Sequence, residues 1–362
     1  MALLFLLICS PIHLTHAATT ASLGVQPLPA AHQRDKSVTY FDLLLGAGQT
    51  DTLQVKLTNS TDQAMKVAVK PATATSSDAG IVDYTGKSNP TDSSMTTRLS
   101  SLITGADTIT VPAHGSATYA AKLTMPTAPF QGVLAGSLVF KPSGQAQNRT
   151  SGRMGIVNEY AYTVAVLARN SAKLLTPKLT AGSIKAGRIE HANRVSVTLH
   201  NQTAAFANHV RAVTTIKKPK GKTVTLTAKD AQLAPNSLLH QTTLLGDHVA
   251  AGDYRVHTVL YWGKAADGRY VSGGEHYQYT TATTKTVTIT AAKARALSAQ
   301  AKQDKGGMPM IYKLLIGIGI AIIILLIIVA ILLIRHRRLR QAQVAALQAQ
   351  VSELQSKSTK QD

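Results

Sequence analysis

Cysteine is nearly absent from this 362-residue chain. The single one, Cys9, lies in an apolar leader, so the rest of the chain offers no disulfide, no thiolate metal site and no cysteine nucleophile. Glutamate is almost as scarce, with Glu159, Glu190, Glu275 and Glu353 the full set. Paired-carboxylate chemistry therefore has few candidates. Aromatic residues make up 5% of the chain and tryptophan occurs once, as Trp262, whose default place is the core. The aromatic-interleaved basic stripe of a single-strand binder is missing, and nucleic acid is not an expected partner. HExxH, P-loop, GxSxG and dinucleotide motifs are missing too. Seven of the twelve histidines (His191, His200, His209, His240, His248, His257 and His276) fall late in the chain without clustered or i,i+4 spacing. They suggest no metal, and no cofactor is expected. They read as scattered surface imidazoles, or as groups that add positive charge in an acidic habitat, near their ordinary pKa of about 6.5.

Two long apolar runs mark the ends. Ala2 to Ile8 is continuously apolar and is followed by Thr15-His16-Ala17-Ala18, a small-residue cleavage pattern. Residues 1–17 thus read as a secretory signal peptide. Its positively charged first segment is missing, which places the expected true start upstream. A lipoprotein would want Gly or Ala before Cys9, where Ile8 stands. Leu314 to Ile334 is 21 residues without a charge. As a helix it would be about 31 Å long, at about 1.5 Å per residue, and a bilayer core is about 30 Å thick. Arg335, Arg337, Arg338 and Arg340 follow at once, and the positive-inside rule puts them, with the tail 335–362, in the cytoplasm. With no ionisable residue inside it, the span reads as an anchor. In the tail, Val344, Leu347, Val351 and Leu354 have 3-4-3 spacing over two heptads, too short for a coiled coil.

Between these ends the hydrophobic period is two. Leu53, Val55 and Leu57 alternate with Gln54, Lys56 and Thr58, and Met65, Val67 and Val69 with Lys66 and Lys70. Leu134, Gly136, Leu138 and Phe140 share a face, as do Val195, Val197 and Leu199, and then Tyr254, Val256 and Leu260. Turn signals such as Gly46-Ala47-Gly48, Pro112-Ala113-His114-Gly115 and Lys218-Pro219-Lys220-Gly221 separate the runs. The expected fold is all-β, two tandem immunoglobulin-like antiparallel sandwiches and then a single transmembrane helix. The polar stretch Lys141 to Gly152 is the best internal boundary, giving domains 18–146 and 147–292. Residues 293–313 read as a polar, basic stalk, and 314–334 as the span.

Charge is unevenly divided. The formal net charge is +20, from 38 basic and 18 acidic residues. The first sandwich holds 9 basic and 8 acidic side chains, the second 18 and 7. The densest basic site is Lys217, Lys218, Lys220 and Lys222 around one turn. It is either an anion contact or a solvated hairpin tip. An exported basic domain would meet polyanions outside the cell: teichoic acids, glycosaminoglycans or acidic protein surfaces. Asn59, Asn148 and Asn201 stand in glycosylation sequons.

The order of short motifs resembles the WxL-interacting proteins of Gram-positive bacteria. In the first sandwich it rests on Tyr40-Phe41-Asp42-Leu43, Gly48-Gln49, Gly80-Ile81-Val82-Asp83-Tyr84, Pro126, and Phe130-Gln131-Gly132-Val133. In the second it rests on Gly155 to Tyr162, including Asn158, Tyr160 and Tyr162, then Asn193, Asn201, Ala234-Pro235-Asn236-Ser237 and Gly252-Asp253-Tyr254. The chain departs from the family pattern at Ala47 for Pro, at Ala135-Gly136 for Gly-Gly, and at Tyr277 and Tyr279 for Phe. The resemblance implies a peptidoglycan-binding first domain and a second domain contacting host or extracellular-matrix ligands. It implies WxL-domain surface proteins as partners of a non-catalytic, membrane-anchored adhesion scaffold. The competing reading is an extracellular wall-active hydrolase using an Asp pair such as Asp83 and Asp107, and a smaller one is a signalling subunit acting through the Arg-rich tail.

Overall fold

The computed structural model describes residues 22–87, 90–143, 160–304 and 310–358. The expected signal peptide, the Asn148 sequon and the motif residue Asn158 lie outside the described residues. The first sandwich is built from β1 (Leu23–Leu28), β2 (Phe41–Leu44), β3 (Thr50–Asn59), β4 (Met65–Thr73), β5 (Thr75–Ser76), β6 (Val82–Asp83), β7 (Ile103–Gly105), β8 (Thr108–Val111), β9 (Ser116–Thr124), β10 (Leu134–Ser143) and β11 (Tyr162–Arg169). One layer runs β1-β3-β9-β7, the other β2-β11-β10-β4-β8, and β5 pairs with β6. Alternation explains the layers: in β3 every second residue from Asp51 to Asn59 is buried. Leu53, Val55, Tyr119 and Leu123 from one sheet meet Val67, Val69, Phe140 and Val166 from the other in a single core. Tyr119 and Phe140 cross it edge to face, 5.6 Å between centroids. Gly136 is required by space, because a Cβ there would lie 2.3 Å from the Ala72 carbonyl oxygen.

β11 changes the domain picture. It lies beyond the expected boundary at 146/147, yet it pairs antiparallel with β10 and parallel with β2 inside the first sandwich. Val164, Val166 and Ala168 on it are buried in the first core. The hydrogen-bonded first sandwich therefore extends through Arg169.

The second sandwich comprises β12 (Leu179–Ile189), β13 (Ala192–Asn201), β14 (Ala207–Lys217), β15 (Val224–Leu233), β16 (Ser237–Leu244), β17 (Gly252–Lys264), β18 (Tyr270–Ser272) and β19 (Glu275–Ile289). Its layers run β12-β13-β16 and β15-β14-β17-β19-β18. Val195, Val197, Leu199 and Leu239 face Val210, Val256, Leu260 and Trp262. Trp262 is in the core as expected, its indole N–H donating to the Pro177 carbonyl at 3.0 Å and its ring stacked on Tyr279. Tyr277, like Tyr279 a Tyr where the family pattern has Phe, is buried.

The expected stalk is partly a helix of the fold. Helix α1 (Ala291–Asp304) starts at Thr290, whose hydroxyl accepts from the Lys293 amide at 3.2 Å. Ala294 and Leu297 sit in the second core. Asn193 ties this helix down, its amide donating to the carbonyls of Leu297 and Gly246 at 3.1 and 3.2 Å. Helix α2 (Met310–Ser358) contains Leu314–Arg337, a segment long and apolar enough to cross a membrane. Arg335, Arg337 and Arg340 are exposed on it, while the side chain of Arg338 is outside those described.

Candidate functional site

Most of the motif positions singled out in the sequence are structural. Phe41 is in the first core, and Asp42 beside it accepts from Arg169 at 2.7 Å and Arg34 at 3.2 Å. Asp83 receives the Thr85 amide at 2.7 Å in a turn. Burial, with a lesser push from Tyr40, raises the Tyr84 phenol to about 12. The Phe130 amide donates to Asn170 at 2.9 Å. Tyr162 packs on the first core and Tyr160 is exposed. Tyr254 is buried with its hydroxyl on the Ala250 carbonyl. Asn59 and Asn201 are 1% and 0% exposed, their amides donating to turn carbonyls. Neither sequon is therefore open to a glycan in the folded protein.

Several of these positions converge on the junction between the sandwiches. The turn before β16 carries Pro235 and Asn236, with Asn236 in left-handed backbone, and Ser237 opens the strand. Asn236 accepts the Asp92 amide at 2.9 Å and donates through its side chain to Ser94 Oγ at 2.9 Å. Ser237 Oγ donates to the Ala234 carbonyl, so it accepts from Ser76 Oγ, 2.6 Å away. Amides of Gln232 and Val133 reach Gly80 and Ala204 carbonyls, each at 2.8 Å. Ala74, Ala135 and Ala234, with Val82, Tyr84, Leu167 and Phe206, form a small apolar cluster there. Two of the late histidines also cross the junction, His200 to Asp92 and His240 to Asp78.

Burial pushes the Asp92 carboxyl up, but hydrogen bonds from His200 and Ser94 outweigh it and hold the group below its ordinary value. A depressed carboxylate stabilises the fold fully above its unfolded pKa of about 3.9 and loses that contribution as pH falls through the folded value. Thermal midpoints followed from neutral pH to about 2 are expected to drop more steeply below about pH 4 in the native chain than in Asp92→Asn. Parallel profiles would remove Asp92 as an acid-sensitive tie.

Three clefts border these elements. One, of 330 Å³, lies in the first sandwich between the end of β4, Thr85, Gly86, Pro90, Thr91 and the turn Leu99–Leu102, and holds Lys70 and Arg98. A second, of 280 Å³, lies at the junction beside Gly132, Arg169 and Phe206. The third, of 250 Å³, lies between β15 and β16 and includes Asp78 and Asp230. Asp83 and Asp107 line none of the three, and the two acids that share the third cleft are each paired with a histidine, His240 and His209. The predicted basic turn is a hairpin tip between β14 and β15. Lys217, Lys220 and Lys222 are exposed there, while Lys218 donates to the Leu245 carbonyl at 3.3 Å. Strand register adds Arg255 directly opposite Lys217, a neighbour 38 positions away that no local pattern reveals. Lys70 and Arg98 were equally hidden, since only the path of the chain over β4 brings them into one cleft.

Residues 24–142 match the family described as WxL Interacting Protein, peptidoglycan binding domain, and residues 151–299 match WxL Interacting Protein, host binding domain. No curated protein matches the chain. Among solved structures, the ASH/PapD-like domain 7 of human CEP192 is 14% identical, covering 45% of this chain and 96% of its own, with a TM-score of 0.26. The Salmonella enterica SafA pilin in complex with the SafB chaperone is 12% identical, covering 75% and 98%, with a TM-score of 0.27. At such scores these likenesses carry no argument. The two family matches follow one another along most of the chain ahead of the apolar helix, in the order that the motifs predict, and the chain belongs to the WxL Interacting Protein family.

Proposed function

We propose that this chain is a non-catalytic adhesion scaffold of a Gram-positive surface. Its first sandwich holds peptidoglycan, and its second meets a host or extracellular-matrix ligand, or another polyanion, through the basic tip at Lys217, Lys218, Lys220 and Lys222. The span anchors it in the cell membrane with the body in the wall and the Arg-rich tail in the cytoplasm, beside WxL-domain surface proteins as partners. The observation that carries this reading is the succession of a peptidoglycan-binding family and a host-binding family ahead of one apolar helix. The charge division agrees: the near-neutral sandwich suits a glycan polymer and the basic one an acidic ligand.

The test uses the full chain in detergent with two insoluble probes, purified sacculi and heparin beads. Replacing the four lysines by glutamine is expected to leave sedimentation with sacculi unchanged. The same variant is expected to lose at least tenfold in heparin affinity, as four contacts to an extended polyanion are removed. Loss of sacculus binding in that variant would show that the second sandwich's charge, and not the first sandwich, holds the wall.

A further inference from the structure

The cleft at Lys70 and Arg98 has a composition unlike the rest of its sandwich. Residues 18–146 of that sandwich carry 8 acidic side chains against 9 basic ones. The 11 residues lining the cleft nevertheless include two cations and no acid. Hydroxyls supply most of the remaining polarity, from Thr73, Thr75, Thr85 and Ser100 among others. Thr73 and Ser100 satisfy each other at 2.8 Å. Among the described residues Arg98 makes one long side-chain contact, 3.4 Å to Thr91 Oγ1. Thr75 is different: it is 7% exposed and its hydroxyl has no hydrogen-bond partner among the described residues. A buried hydroxyl without a partner costs stability, and such groups in a native fold call for an explanation.

We infer that this cleft is the point at which the first sandwich grips a wall strand, and that its ligand is a carboxylate-bearing peptide stem of peptidoglycan. The inference rests on the reading that this sandwich binds peptidoglycan, and it names the group recognised. A volume of 330 Å³ admits a short branch such as a dipeptide end or one amino sugar, not a length of polymer. A planar guanidinium takes a carboxylate through two parallel hydrogen bonds, and a neighbouring ammonium adds a point charge. The threonine and serine hydroxyls then serve the amide groups of the stem. Thr75 borders the cleft with its hydroxyl buried and unpaired, and a ligand reaches that hydroxyl only if the lining shifts as it binds.

An anion in a bacterial wall can be a peptide carboxylate or the phosphate of an attached polymer, so the experiment separates them. Sacculi are stripped of phosphate polymers with hydrofluoric acid, and one portion has its carboxyls amidated. The full chain in detergent is compared with Lys70→Gln/Arg98→Gln and with Thr75→Val. The native chain is expected to bind stripped sacculi and to lose about tenfold when the carboxyls are amidated, the loss of one charge-assisted bidentate contact. The double variant is expected to bind about tenfold more weakly and to ignore amidation. Thr75→Val is expected to weaken binding while its Tm stays level or rises, because the hydroxyl is unpaired in the free protein. Equal binding by the native chain and the double variant, or equal sensitivity of both to amidation, overturns the cleft. A fall in Tm for Thr75→Val assigns that hydroxyl to the fold and also counts against it. Binding only to sacculi that keep their phosphate polymers shows the wrong anion. Failure of the native chain to bind any sacculi defeats the wall-binding reading itself.

Discussion

A fragment of residues 18–146 is expected not to fold, whereas one continued to Lys173 is expected to melt cooperatively. The difference is β11. Without it, β10 loses one neighbour and β2 loses its strand partner, so Phe41 and Leu43 are left on an unpaired edge. Val164 and Val166 go with the strand, and burying them contributes about 3–6 kcal/mol at roughly 1.5–3 kcal/mol each. A domain of this size has only about 5–15 kcal/mol to lose. Circular dichroism melts of the two fragments decide the point. A cooperative transition of equal midpoint in both would show that β11 adds nothing to the first sandwich. The consequence reaches the wall assay, since a fragment cut at the polar run would report on an unfolded chain. For that reason the full chain is the right reagent for testing peptidoglycan binding.

The strands themselves were legible. Leu53, Val55 and Leu57 point inward, Arg255 and His257 outward, and Trp262 is in the core, as alternation requires. Their partners were not legible. Period two states that a strand has a buried face, not which strand lies beside it. The run at Lys141 to Gly152 therefore read as a boundary, although the strands on either side of it, β10 and β11, are paired. The helix at the start of the stalk was hidden for a different reason. Ala294 and Leu297 are three apart, as an inward helical face requires, but the surrounding Lys, Arg, Ser and Gln dilute the pattern. Site legibility divides the same way. A basic turn is contiguous and could be seen, whereas Lys70 and Arg98 share a cleft only after folding. The motif positions that carried the family resemblance are legible as a set, and many of them prove to be core or junction residues. They identify the architecture.

Substituting Gly132 by Ala is expected to open the junction while leaving both sandwiches folded. Gly132 has φ +86, a left-handed conformation that a side chain resists at about 1–2 kcal/mol. Space is the harder constraint. A Cβ there would stand 2.1 Å from the Ala204 carbonyl oxygen and 2.8 Å from the Ala204 Cβ. Both neighbours belong to the second sandwich's short β13–β14 connection, so relief requires the two bodies to separate locally. The first bond to go is the one next in sequence, from the Val133 amide to that same carbonyl at 2.8 Å. Losing it leaves a previously bonded group to solvent, at a net cost of about 0.5–1.5 kcal/mol. The summed loss, about 1.5–3.5 kcal/mol with the strain, lies within the stability of either sandwich. Amide hydrogen exchange resolves the outcome by position. Val133 is expected to lose protection at least tenfold, with Gln232 and Asp92, whose amides also cross the junction, following in part. Amides inside β3 and β14 are expected to keep their protection. Unchanged exchange at Val133 would show that the approach of Ala204 does not hold the sandwiches together. Uniform loss everywhere would show instead that the two cannot unfold apart, and that the motif residues along the seam make them one cooperative body.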